Sequence, residues 1–120
     1  MKNILFYTFV LLLFSCSGSE EKFLHPDNVS PEIYEVLLEN DAVKVMMVTF
    51  KPGHGDKMHD HNPMTFHVLK GGKARVILPD GSVNEREIPP GFTGYNPKGQ
   101  RHQVTNVDDN QVKILLVEHS

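Results

Sequence analysis

The sequence predicts an all-β domain, built as an antiparallel sandwich or small barrel with little or no helix. Many short segments are rich in β-branched and aromatic residues, and clusters of Gly, Pro, Asn and Asp separate them. No convincing amphipathic helix lies between these segments. The chain has 120 residues, which leaves room for one compact domain.

Seven segments are predicted to be strands, because each is bounded by turn-forming residues. They are residues 34–38, 43–50, 65–69, 74–78, 82–88, 102–107 and 112–118. The strongest turn signal is Asp80-Gly81, which is typical of a β-hairpin. Ahead of the first strand, Ser30-Pro31-Glu32 predicts one short helical turn, with Ser30 as its cap and Pro31 at the first helical position.

The N-terminal residues are predicted to lie outside the folded domain. Lys2 precedes a short apolar run that ends at Phe14, and Ser15 and Cys16 follow, which is the pattern of a secretory signal. The run is too short to cross a bilayer as a helix, which needs about 20 apolar residues. We therefore interpret residues 1–15 as a signal peptide, residues 16–28 as a lipidated tether and residues 29–120 as a single domain.

The segment Leu13-Phe14-Ser15-Cys16 resembles the lipobox of bacterial lipoproteins, in which the cysteine is lipidated and becomes the new N-terminus. The resemblance implies an exported cell-envelope protein, in the periplasm or at the outer membrane of a Gram-negative bacterium, that contacts the membrane through Cys16. The alternative is an ordinary cleaved signal with an incidental cysteine. Cys16 is the only cysteine, so the exported domain can contain no internal disulfide.

Charge argues against a nucleic-acid partner. The formal net charge is −3, and removing Lys2 with the signal peptide leaves 11 basic and 15 acidic residues, a net charge of −4. The sequence contains no basic stripe that would attract a phosphate backbone. A small molecule is the expected ligand instead.

Three histidines are the candidate metal ligands, and they lie in two glycine-punctuated segments. Neutral imidazole is the commonest protein ligand for divalent transition metals. In a strand, His59 and His61 would share one face with backbone positions about 6.6 Å apart, so both rings could reach one ion. His102 offers a third ligand from a later strand. This set suits Fe, Zn, Mn, Ni or Cu without selecting among them.

The two histidine segments resemble the two motifs of the cupin superfamily, and of small single-domain cupins in particular. The first motif matches at Gly53, His59, His61 and Gly72, with Thr65 where the family has a glutamate. The second motif matches at every position, namely Gly91, Pro97, Gly99, His102 and Asn106. The resemblance implies a jelly-roll barrel in which His59, His61 and His102 bind one divalent metal. It also implies a homodimer, because small cupins commonly pair through sheet edges.

The strand that follows the first motif carries a further candidate. His67 shares a strand face with Thr65 and is therefore predicted to point into the barrel. There it could be a fourth ligand, a residue that orients a ligand, or a catalytic proton acceptor. A hydrogen-bonded histidine with a purely structural role is the alternative. Tyr95 and Arg101 could contact an anionic substrate at the pocket mouth, or they could be surface residues without a role.

Two classes of function follow from the sequence. The first is a metal-dependent enzyme, of the dioxygenase or isomerase kind, that converts a small organic acid or carbonyl compound. The second is a non-catalytic module that binds a small ligand or a metal, which the missing glutamate favours. The family resemblance does not choose between them, because one fold hosts many functions.

Overall fold

The structure is a computed structural model that describes residues 21–120. These residues form a short helix, α1 (Pro26–Val29), and the strands β1 (Tyr34–Glu39), β2 (Val43–Phe50), β3 (His59–His61), β4 (Met64–Lys70), β5 (Gly72–Ile77), β6 (Val83–Ile88), β7 (Thr93–Asn96), β8 (Gln100–Asn106) and β9 (Val112–His119). The proposed signal peptide and Cys16 lie outside the described residues. Within residues 21–120, no helix is long and apolar enough to cross a membrane.

The strands form two antiparallel sheets that pack face to face. One sheet has the order β1-β2-β9-β4-β7, and the other has the order β3-β8-β5-β6. The buried apolar side chains of the first sheet form the core, namely Tyr34, Met46, Val48, Phe50, Met64, Val112 and Leu116, together with Ile33 ahead of it. Strands that are neighbours in space are distant in sequence, as in the pairs β2–β9 and β3–β8. This architecture confirms the predicted all-β jelly-roll class.

All seven predicted strands are present, and their ends agree within two residues. The sequence did not predict β7, which has four residues and contains Gly94. This strand forms because Thr93–Asn96 pair with Met64–His67 of β4. Its formation therefore depends on a tertiary contact and not on the strand propensity of its own residues. The pairing of β5 with β6 around Asp80-Gly81 is confirmed, and Gly81 has a φ of 85° that few other residues adopt.

The predicted turn after Ser30 is present, since residues 31–33 form one turn in which the Ile33 and Tyr34 N–H groups donate to the Ser30 carbonyl oxygen at 3.1 and 3.2 Å. The sequence did not predict α1, a separate helix that begins at Pro26 with His25 at its N-cap. Ser30 also ends α1, since its N–H donates to the Pro26 carbonyl oxygen at 2.9 Å. The Ser30 hydroxyl accepts a hydrogen bond from the Lys57 N–H at 2.9 Å. The Ser30 side chain therefore makes a long-range contact with Lys57 instead of the predicted cap.

The short strand β3 is held on both of its edges. On one edge Asp60 is the register partner of Arg101 in β8. The Arg101 guanidinium donates to both Asp60 carboxylate oxygens, at 2.7 and 2.9 Å, in a bidentate pair. On the other edge the Asp60 N–H donates to the Leu24 carbonyl oxygen at 2.8 Å, and the Leu24 N–H donates to Asp60 Oδ2 at 2.7 Å. Residues ahead of α1 therefore help to position β3.

A matched pair of valines tests where the core lies. Val112 is 1% exposed and belongs to the core, whereas Val83 in β6 is 53% exposed. We expect Val112→Ala to lower the free energy of unfolding by about 2 kcal/mol, because two methyl groups leave a packed site. We expect Val83→Ala to change it by less than about 0.5 kcal/mol. Urea denaturation of both variants measures the difference, and equal effects would contradict the assigned core.

Candidate metal centre

The structure brings the three predicted histidines together. His59 is the register partner of His102 across the β3–β8 pair, and His61 lies two residues further along β3 on the same face. The ring centroids are 4.6 to 5.1 Å apart. One nitrogen from each ring lies within 4.8 Å of the other two. His59 and His61 are buried and His102 is partly buried, so the three rings form a compact internal cluster.

The ring of His59 is oriented by its own loop. Nδ1 donates to the Lys57 carbonyl oxygen at 2.7 Å, which leaves Nε2 of the neutral ring with a free lone pair. The Tyr34 hydroxyl lies 3.3 Å from this nitrogen but donates its proton to Asp56 Oδ2 at 2.7 Å. The lone pair of His59 Nε2 therefore points towards His61, whose Nε2 is 2.8 Å away.

His61 cannot satisfy both of its ring nitrogens with the protein groups around it. Its Nδ1 is buried and has no hydrogen-bond partner among the described residues, and Glu118 Oε1 is 3.6 Å away. If Nδ1 carries the proton, two Nε2 lone pairs face each other at 2.8 Å. If Nε2 carries it, the Nδ1 lone pair is buried without a donor. A cation shared by the Nε2 atoms removes the first conflict, so the donor set fits a metal ion.

The third ring has a polar neighbour on its own strand. Gln100 Nε2 lies 3.2 Å from His102 Nδ1. The Gln100 Oε1 accepts a hydrogen bond from Asn96 Nδ2 at 3.1 Å, which links β8 to β7. A further constraint is Gly99, since a Cβ there would lie 2.7 Å from the His61 carbonyl oxygen. The glycine of the second motif thus permits the close approach of the segment before β8 to β3.

Burial sets the charge of the cluster. It lowers the pKa of His59 to about 4 and that of His102 to about 3, and in both cases the neighbouring His61 lowers the pKa further. The positive charge of Arg86 also contributes at His102. Burial raises the pKa of Asp56 to about 6, although hydrogen bonds from the Val104 N–H and the Tyr34 hydroxyl oppose this. At neutral pH both His59 and His102 are neutral, which is the form that binds a metal.

His67 does not point into the barrel, so that prediction is wrong. The residues of β4 that line the internal cavity are Met64, Phe66 and Val68. Strand alternation then places Thr65 and His67 on the outer face. There Thr65 Oγ1 lies 2.9 Å from His119 Nε2, and His67 Nδ1 lies 2.7 Å from the hydroxyl of its register partner Thr93. The ligand and proton-acceptor roles considered for His67 therefore lack a geometric basis.

Tyr95 and Arg101 also lie outside the cavity. Tyr95 is 65% exposed and stands beside His119 on the outer face. Arg101 binds Asp60, and its Nη1 also donates to Glu21 Oε2 at 2.7 Å. Strand alternation explains both positions, because Asn96, Gln100 and His102 take the inward places.

Two buried carboxylates near the cluster were not predicted from the sequence. Asp56 carries an oxygen 3.5 Å from His59 Nδ1, and its Oδ1 accepts a hydrogen bond from the Val104 N–H at 2.7 Å. Glu118 lies near His61 and accepts a hydrogen bond from the Asn62 N–H at 2.8 Å. A signal for Glu118 was available, since it shares an inward strand face with the buried Leu116.

A cavity of about 320 Å³ adjoins His61 and His102 between the two sheets. Its walls are largely apolar and include Val48, Phe50, Met64, Phe66, Val68, Val76, Ile88, Phe92, Val104, Ile114 and Leu116. The polar and charged residues that line the cavity besides the histidines are Tyr34, Arg86, Glu87, Asn96 and Gln100. Such a volume lies at the lower end of the range of small-molecule sites, roughly 300 to 1,000 Å³.

Solved structures show the fold to which this arrangement belongs. A cupin domain from Bordetella pertussis Tohama I is 25% identical, with a TM-score of 0.67 over 73% of this chain and 92% of that one. A Cupin 2 conserved barrel domain protein from Salinispora arenicola CNS-205 is 24% identical, with a TM-score of 0.56 over 81% of each chain. The polyketide cyclase RemF from Streptomyces resistomycificus is 21% identical, with a TM-score of 0.55 over 72% of this chain and 63% of that one.

Comparison of sequences adds no closer assignment, since no protein-family model and no curated protein matches the chain. The structural likeness and the two-sheet topology agree with each other. This chain therefore has the cupin fold, and inside it His59, His61 and His102 form a cluster that could hold a metal ion.

Proposed function

We propose that this protein is a metal-binding cupin that holds one divalent transition metal through His59, His61 and His102. The observation that carries the proposal is the contact between His59 Nε2 and His61 Nε2 at 2.8 Å, beside a His61 Nδ1 that lacks a hydrogen-bond partner within residues 21–120. A ligand set made only of imidazoles suits Fe, Zn, Mn, Ni or Cu.

The groups around the histidines would orient them as ligands. The Lys57 carbonyl oxygen holds the His59 proton on Nδ1. Glu118 Oε1 lies 3.6 Å from His61 Nδ1, so its negative charge favours a proton on that nitrogen. Partners of this kind set the tautomer and raise the basicity of a metal-binding imidazole.

The neighbouring cavity suggests what such a centre would act on. A divalent metal bound there would act as a Lewis acid towards an oxygen atom of the substrate. The apolar walls would bind the carbon body of a small organic acid or carbonyl compound and exclude water from it. We propose oxygenation or isomerisation of such a compound as the reaction class.

A non-catalytic binding module is the second candidate, and one observation favours it. Thr65 and His67 both lie on the outer face, so neither supplies a carboxylate-like ligand nor a proton acceptor to the cavity. Oxygen consumption and product formation by the metal-loaded protein, measured with a panel of diketones, thiols and organic acids, separate the two candidates. Turnover of any panel compound supports the enzyme, and inactivity with all of them supports the binding module.

Metal content tests the three-histidine site. We expect the purified protein to contain about one metal ion per chain and His102→Ala to lose it, because two imidazoles hold a divalent ion much more weakly than three. His54→Ala is the matched control, since His54 is exposed and lies outside the cluster. Elemental analysis after dialysis measures the content. Retention of the full metal content by His102→Ala would refute the assignment.

Acidification should destabilise the metal-free protein. An unfolded histidine has a pKa of about 6.5, whereas burial lowers the pKa of folded His59 to about 4 and of folded His102 to about 3. At a pH between the folded and the unfolded pKa, the unfolded state binds more protons than the folded state. The free energy of unfolding therefore falls as the pH drops below about 6.5. Asp56, with its folded pKa raised to about 6, acts in the opposite sense below pH 6. The loss of stability from the two histidines is larger than the gain from the one aspartate, so the free energy of unfolding falls on acidification.

Urea denaturation of metal-free protein at pH 7 and at pH 5 measures this dependence. We expect a lower free energy of unfolding at pH 5, and a smaller difference between the two values for His102→Asn, because that variant loses one of the two histidines whose pKa burial lowers. An unchanged difference in the variant would show that His102 is not buried as a neutral ring.

We also propose that the protein is an exported lipoprotein anchored through Cys16, which the pattern of residues 1–16 supports. Labelling of cells with a palmitate analogue tests this. We expect label on the parent and on the control Ser17→Ala, and none on Cys16→Ala, because the thioether to the lipid needs a cysteine thiol and Cys16 is the only cysteine. Equal labelling of Cys16→Ala would contradict the anchor.

A further inference from the structure

Arg86 occupies an unusual place in the fold. It lies on β6, the edge strand of its sheet, and its register partner is Ala74 of β5. Ala74 is 2% exposed and lines the cavity. Partners across an antiparallel pair share one face of the sheet. Arg86 is therefore on the inner face, and it is an exposed residue at the open edge of the cavity that His61 and His102 line.

This cation has no carboxylate partner. Among residues 21–120, no carboxylate oxygen lies within 4.0 Å of the Arg86 side chain. The basic side chains on the outer face of the same sheet differ, since Lys73 and Arg75 both lie 3.3 Å from Glu85. An arginine that lines an apolar cavity without an internal partner is suited to an anion from outside, because its planar fork binds a carboxylate in a bidentate manner.

Glu87, the neighbour of Arg86 in β6, also lines the cavity, but the other walls near Arg86 are largely apolar and suit a hydrocarbon body. Phe66 and Phe92 line it with ring centroids 5.9 Å apart. Phe92 is 49% exposed, so it leaves aromatic surface uncovered at the mouth. Aromatic rings favour offset or edge contacts with a further ring at centroid distances of about 4.5 to 7 Å. A planar or branched apolar group would cover this surface.

We propose that the cavity binds an organic acid with a compact apolar body, whose carboxylate pairs with Arg86 while its body packs against Phe66 and Phe92. The inference rests on the proposed function, because the bound acid would lie against His61 and His102 in the same cavity. It narrows the substrate class from any small acid or carbonyl compound to a monocarboxylate with an aromatic or branched aliphatic body. Arg86 is then the residue that selects for charge.

Titration calorimetry with three probes tests the assignment on the zinc-loaded protein. Benzoate carries both the charge and the ring, benzamide is its neutral counterpart of the same shape, and acetate carries the charge alone. We expect benzoate to bind roughly tenfold or more tightly than benzamide or acetate, because a charge-assisted pair adds to the apolar contact. Equal binding of benzoate and benzamide, or no binding of benzoate, would overturn the proposal.

Two variants test whether Arg86 is the positive charge that binds the benzoate carboxylate. We expect Arg86→Gln to weaken benzoate binding by roughly tenfold or more, while its benzamide binding and metal content stay at the parent values. Arg75→Gln is the matched control, because Arg75 lies on the adjacent strand with Glu85 as its partner on the outer face, and it should bind benzoate as the parent does. Unchanged benzoate affinity in Arg86→Gln would refute the role of this residue.

The test of the Arg86 anion site does not depend on whether the protein contains a metal. Metal content and benzoate affinity are determined separately for the parent, Arg86→Gln and His102→Ala. A parent without metal would refute the metal proposal alone, and the comparison of parent with Arg86→Gln would still decide the anion site in the metal-free protein.

Discussion

The register between β3 and β8 is the constraint on which the candidate site depends. It places His59 opposite His102, and the two-residue period of a strand then directs His61 to the same face. A shift of β3 by one residue would turn both histidines outward and bury Asp60 instead. The bidentate pair between Asp60 and Arg101 opposes that shift, and the backbone of Leu24 holds the other edge. Contacts on the outer face thus set the geometry of the inner one.

Burial makes the three-histidine cluster unfavourable without a metal and suitable as a ligand set. Removing imidazoles from water is unfavourable unless their nitrogens find partners. His59 Nδ1 finds one in the Lys57 carbonyl oxygen, whereas His61 Nδ1 has none among the described residues. Burial lowers the pKa of His59 and His102 and keeps these two rings neutral. The same burial that makes the metal-free cluster unfavourable makes it a good ligand set, so metal binding and stability are coupled.

Much of the fold could be predicted from the sequence, because alternation and turn chemistry are local. Residues a few positions apart determine the seven predicted strands and the Asp80-Gly81 hairpin. They also determine that His59 and His61 lie on the same face of β3. The strand β7 and the helix at Pro26 could not be predicted in this way. The first depends on pairing with β4. The second is a single turn of four residues whose N-cap makes no side-chain hydrogen bond, so the sequence carries little local signal for it.

The errors at the site have one physical origin. The prediction that His67 faces inward rests on the family motif, which has a ligand at position 65. Met64, Phe66 and Val68 line the cavity instead, and this places Thr65 and His67 on the outer face. Asp56 and Glu118 are charged residues, which are seldom fully buried without partners, and their burial becomes visible only when the strands are assembled. The inward direction of Arg86 similarly depends on its register with Ala74.

X-ray absorption at the zinc edge of the zinc-loaded protein would show whether the three histidines share one ion, because it reports the atoms bound to the ion. We expect three imidazole nitrogens at about 2.0 to 2.1 Å. In His102→Ala the number of imidazoles should fall to two. A parent spectrum with fewer than three imidazoles, or one dominated by carboxylate oxygen, would contradict the claim that His59, His61 and His102 share one ion.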